Sequence, residues 1–205
     1  RSGRVTGVQT CALPISDTIT IGGTGATAVA TTGDFNNNVA FTTLNITAGT
    51  DDDSDDDEHA TATVSGNLTG TTIALIDAAD DGTSTLNLDS LTAAQTISAA
   101  ITASEDGLGN VTVSNTGGTV TFSETIGSHS TDLSVGAVAL AASTTTVFEK
   151  AVDAATLSAS GAMTIKAPVT LSSTLTTGVG STITLGSAFV DGGSTAITAA
   201  DSTDG

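Results

Sequence analysis

A chain of 205 residues has the length of one domain or of one stretch of a longer array. Its hydrophobic share of 38% contains no Trp, no Tyr and only five Phe, so any core must be assembled from Val, Ile, Leu, Ala and Thr. Four basic residues against 22 acidic ones leave a formal charge of −18, which sets the chain against nucleic-acid phosphates and anionic lipid and in favour of cations and basic partners.

Residues 1–16 are written differently from the rest. They hold the sole cysteine, Cys11, one of two prolines, Pro14, and both arginines, Arg1 and Arg4. The run Val5–Ile15, VTGVQTCALPI, resembles codon by codon the translation of a short-read sequencing adapter, and Arg1–Arg4 adjoin it. A secretory signal fits worse, because Gln9 and Thr10 interrupt the apolar run. The expectation is an unstructured, adapter-derived segment over 1–16 and a β-repeat region over 17–205. The protein proper then has no cysteine and no arginine, and Lys150 and Lys166 are its only cations, at a net charge of −20. The ending TAADSTDG has no closing element, so the chain reads as a fragment of something longer.

From Asp17 onward, apolar and polar residues alternate in short runs. In chain order these are TITIG (18–22), TTLNIT (42–47), TIALID (72–77), STLNLD (84–89), NVTVSN (110–115), GTVTFS (118–123), AMTIKA (162–167) and STITLG (181–186). A period of two predicts strands of three to six residues with one face buried. The Ala-rich runs 137–143 and 151–157 fall inside the same rhythm and are read as strands. Asn36–Asn38 and Asn115–Gly118 are the expected corners, where positive φ suits Gly and is tolerated by Asn.

Between the second and third runs lies DDDSDDDEH (51–59), seven carboxylates in eight positions followed by His59. Such a run cannot rest on a core without losing its charge. The simpler reading is a solvated acidic insertion. The chemical one is calcium, a hard cation that takes several oxygens, on the alternating Asp51, Asp53, Asp55 and Asp57. The EF-hand pattern fails, with Asp56 at its glycine position and Ala62 at its terminal glutamate. A second acidic stretch, Asp77, Asp80, Asp81 and Asp89, reads as an Asp-Gly corner with calcium as the alternative. In GSHSTD (127–132), Ser128, His129, Ser130 and Asp132 crowd one short loop. Catalytic triads converge from separate elements, so this is read as a polar turn. Thr-x-Thr pairs at 18/20, 61/63, 119/121, 144/146, 174/176 and 182/184 are irregularly spaced and read as β-branched residues on solvent faces.

A longer repeat runs beneath the strands. Phe122-x-x-x-Ile126 precedes Leu133 and Gly136, Phe148-x-x-x-Val152 precedes Leu157 and Gly161, and Ile165-x-x-x-Val169 precedes Leu175 and Gly178. Ile97-x-x-x-Ile101 is an earlier copy. The unit recurs about every 17–26 residues. One unit cannot bury its apolar stripe, whereas stacked units can. The stretch GTVTFSETIGSHSTDLSVGAVALAASTTTVFEKAVDAATLSASGAMTIKAPVTL (118–171) resembles the strand repeats of large bacterial surface proteins, the filamentous-haemagglutinin-like adhesins and autotransporter passengers, with the likeness best over 97–190.

That resemblance implies a right-handed parallel β-solenoid, export to the cell surface and a structural or adhesive role. Host or neighbouring-cell surface molecules, or end-to-end self-association, are the implied partners. An array of Ig-like β-sandwiches gives a similar strand rhythm and is the alternative fold. The expectation is a non-enzyme with no membrane span and no cofactor beyond candidate calcium. A calcium-dependent surface-layer or adhesin module comes second. A carbohydrate-active β-helix enzyme comes third, because two lysines and no Trp or Tyr poorly equip a lyase or hydrolase.

Overall fold

The computed structural model describes residues 18–22, 31–49, 59–77, 82–128, 133–141, 145–177, 183–185, 189–191 and 196–199. Among them there is no helix, and so none long and apolar enough to cross a membrane. The strands are β1 (Thr18–Gly22), β2 (Thr31–Phe35), β3 (Val39–Ala40), β4 (Thr43–Thr47), β5 (His59–Val64) and β6 (Leu68–Ile76). They continue with β7 (Thr83–Leu88), β8 (Gln95–Ala103), β9 (Leu108–Val113), β10 (Val120–Phe122), β11 (Val135–Leu140) and β12 (Thr146–Phe148). The last are β13 (Val152–Ala159), β14 (Met163–Ile165), β15 (Val169–Thr177), β16 (Ile183–Leu185), β17 (Phe189–Asp191) and β18 (Ala196–Ala199).

Every one of these strands pairs in parallel with strands of the preceding or following coil, which makes the fold a β-solenoid. The chain cycles through three runs, here faces A, B and C. The third coil, for example, passes along A and B in β6 and along C in β7; the fourth does the same in β8 and β9. An array of β-sandwiches, with its antiparallel sheets, is not what forms. The Ala-rich runs 137–143 and 151–157 contribute β11 and β13, so their strand reading holds over the described residues.

The core follows from the two-residue period. In β8, Gln95, Ile97, Ala99, Ile101 and Ala103 are buried while the residues between them face outward. Register then stacks like upon like. On face A the inward column runs Leu68, Ile97, Phe122, Phe148, Ile165. On face B it runs Leu44, Ile73, Ile101, Ile126, Val152, Val169. On face C it runs Ala62, Leu86, Val111, Val138, Leu157, Leu175. All of these residues belong to one hydrophobic core. The rings of Phe122 and Phe148 stack with centroids 5.3 Å apart and planes 12° from parallel, close to the strand spacing of about 4.8 Å that register imposes on them.

The repeat read from the sequence is the A and B columns, with its third position misplaced in one copy. Leu157 pairs with Val138, not with Leu133, which instead forms an isolated antiparallel bridge with Ser128. Strands also run longer than expected, to nine residues in β6, β8 and β15. They do so because a strand can turn a corner through a register shift rather than a break, as between Thr69 and Thr72. Coil length is correspondingly loose: partners are 29 residues apart at Thr43 and Thr72 but 17 apart at Val152 and Val169.

Two polar residues, Gln95 and Thr146, share an inward column of face A with Val120 and Met163. Thr146 lies between Val120 and Met163 in its column, and its buried hydroxyl has no hydrogen-bond partner among the described residues. An unsatisfied buried hydroxyl costs about 1–3 kcal/mol, while valine has nearly the same shape. Thr146→Val is therefore expected to stabilise the fold by about 1 kcal/mol. Urea unfolding should show this as a higher midpoint at unchanged slope.

Candidate functional site

The sequence-predicted calcium residues Asp51, Asp53, Asp55 and Asp57 lie outside the described residues, as do residues 1–16, His129, Ser130 and Asp132. His59 opens β5 and is exposed. Among the described residues, no three His, Cys, Asp or Glu side chains come together where a metal ion could sit. Asp77, read as a corner or calcium residue, is 6% exposed, and both its oxygens are taken by backbone amides. The Ser84 N–H donates to Oδ1 at 2.6 Å and the Gly109 N–H to Oδ2 at 2.7 Å. The carboxylate thus pins its own coil to the next. Gly109 adopts φ of +74°, which turns its amide toward Asp77 in a conformation that residues with a Cβ rarely hold. The Thr-x-Thr pairs scatter over different faces, Thr18 and Thr20 on B and Thr61 and Thr63 on C.

A polar network closes the corner between faces C and A. Gln95 occupies an inward position and donates from Nε2 to the carbonyls of Val64 at 2.8 Å and Gly66 at 3.0 Å. Its Oε1 accepts from Asn115 Nδ2 at 2.7 Å. Asn115 Oδ1 in turn accepts from the N–H groups of Gly117 and Gly118. Three successive coils are tied together by groups that would each be costly to leave unpaired. Asn115–Gly118 is a corner as expected, but for another reason than positive φ: a Cβ on Gly117 would fall 2.3 Å from Thr92 N. The corner needs glycine for close approach.

On the outside of that same corner the loops of successive coils form a groove of about 620 Å³. Its first level is Asn36–Asn38 between β2 and β3, its second Ser65–Asn67 between β5 and β6 and its third Asp89–Ala94 between β7 and β8. The third loop is longer than the first two and contributes Asp89–Ala93 to the lining. The first two levels are fastened by side chains one coil apart. Asn67 N–H donates to Asn38 Oδ1 at 2.9 Å, and Thr96 N–H to Asn67 Oδ1 at 2.8 Å. The third is held by Ser90, whose Oγ accepts from Ala93 N–H and whose carbonyl accepts from the amides of Thr116 and Gly117. At its lip stands Leu91, 75% exposed, the one large hydrophobic side chain among the described residues that faces solvent.

No protein family, curated protein or solved structure matches this chain. The groove and the polar corner therefore stand on their own geometry. Sequence reading marked Asn36–Asn38 and Asn115 as corners but missed Gln95, Asp89 and Leu91 as members of one constellation. A signal for Gln95 was present: it is the sole glutamine after residue 16, and it shares the inward parity of Ile97.

Proposed function

We propose that this chain is a non-catalytic structural segment of an exported bacterial cell-surface protein, a stalk whose length is set by coil number. The reading is carried by the unbroken inward column from Leu68 through Ile97, Phe122 and Phe148 to Ile165. Such a column has no natural end, because each coil presents the next with the same apolar ledge. Every added coil lengthens the body by one strand spacing, about 4.8 Å, without widening it. The likeness of residues 118–171 to surface-protein strand repeats supports export.

Removal of residues 120–145 tests the stalk. It excises one complete coil, because Val120 pairs with Thr146 and Val111 with Val138 in the excised part. Made in the full-length protein in its own host, the deletion is expected to leave the product labelled at the surface of intact cells and to shorten its reach by one increment. Retention of the full-length protein inside the cell overturns export. An all-or-none loss of function on removing this coil, with folding intact, overturns a spacer in favour of a discrete site.

A further inference from the structure

We propose that the corner groove formed by Asn36–Asn38, Ser65, Asp89 and Leu91 binds a neutral oligosaccharide. The volume of about 620 Å³ lies within the range of roughly 300–1,000 Å³ common for small-ligand sites. The chemistry of the lining narrows the class. Asn36 and Asn38 each have Oδ1 engaged, by Ser65 Oγ at 3.4 Å and by Asn67 N–H, while their Nδ2 groups and the whole amide of Asn37 make no hydrogen bond to the described residues. The levels thus hold the amides in place by one end and offer the other end outward. Asp89 adds a half-buried carboxylate, an acceptor that can take two neighbouring hydroxyls. Amide donors and a carboxylate acceptor lining one groove suit the hydroxyls of a pyranose.

Leu91 supplies the remaining element. A sugar ring has a face of C–H groups, and an exposed apolar side chain beside amides and a carboxylate is what that face packs on. Charge argues against other small ligands. The groove carries one carboxylate and no cation, so an anionic sugar or phosphate would be repelled, and a lone carboxylate does not build a cation site. The loops are preorganised: a Cβ on Gly66 would fall 2.2 Å from the Asn37 carbonyl carbon, so the first two levels already touch. Little ordering remains for the ligand to impose. Without an aromatic platform the affinity is expected on the order of 1 mM.

The experiment is a backbone-amide NMR titration of the whole chain with cellohexaose, chitohexaose and maltohexaose, and with hexagalacturonate as the anionic comparison. At least one neutral hexasaccharide is expected to shift the amides of residues 36–38, 65–66 and 89–93 saturably. Leu91→Ser and Asn37→Ala, both exposed positions, should each weaken that binding roughly 2- to 10-fold at unchanged melting temperature. Lys166→Ala, on a distant coil, should leave it unchanged. No shift with any neutral sugar at about 10 mM, shifts elsewhere that the groove variants do not alter, or equal binding of hexagalacturonate would each overturn the proposal.

Discussion

Phe148→Ala is expected to destabilise the solenoid by about 3–5 kcal/mol, the usual cost of truncating a buried phenylalanine. Phe148 is fully buried, stacks on Phe122 and rests on Ile165 in the next coil. Its removal takes away the stacking partner and leaves a hole between coils that are joined above and below by rigid ladders. Those ladders hold the rungs at fixed spacing, so the gap cannot close by collapse. Thermal unfolding should fall by roughly 10 °C if the chain melts as one unit. In a stacked array the break can also uncouple the two sides, which calorimetry would show as two transitions in place of one. A shift of one or two degrees would mean that the stack contributes little.

A single alanine inserted between Thr85 and Leu86 is expected to do at least as much harm. In β7 the buried residues are Ser84, Leu86 and Leu88, with Asn87 outward. One extra residue reverses the parity of all that follows. Leu86 and Leu88 would face water, and Asn87 would enter an aliphatic column between Val64 and Val113, whose neighbours offer it no hydrogen bond. Two displaced leucines at about 2–5 kcal/mol each exceed what one coil can absorb. The same alanine between Leu91 and Thr92 leaves the parity of β7 and β8 intact; it disturbs only the Ser90 Oγ–Ala93 N–H bond and the close approach of Gly117 to Thr92, and should cost about 1–2 kcal/mol. Comparing the two insertions by urea unfolding isolates register from chain length. Equal tolerance of both would contradict the columns described above.

Legibility in the sequence divides along the same line. Alternation within a strand is local, so TITIG, STLNLD and NVTVSN announced β1, β7 and β9 to within a residue or two. The spacing Phe122-x-x-x-Ile126 recurs because faces A and B are separated by one short corner, and that gave the stacking partners directly. Leu133 misled because the path from B to C is longer in that coil, where Val135 pairs 27 residues after Leu108 but only 19 before Ala154. An eye counting from Ile126 lands on the first leucine, not on Val138. The groove was hidden for a related reason. Asn38 and Asn67 touch across 29 residues, a distance set by the coil and not by any motif. Asp77 read as part of an Asp-Gly corner, with calcium as the alternative, because nothing local reveals that Gly109 will bring its amide to the carboxylate. Acidic text without a partner in sequence acquired one in space.

The unequal coil lengths carry a consequence for how such a body yields. Strands lie across the long axis, so tension on the two ends peels coils away one after another, each held by its own ladder until it lets go. A released coil of 17 or of 29 residues frees roughly 60 or 100 Å of extended chain. The solenoid would lengthen in large, uneven steps under such a load. Its weakest rung, rather than its average one, would decide when the first length is surrendered.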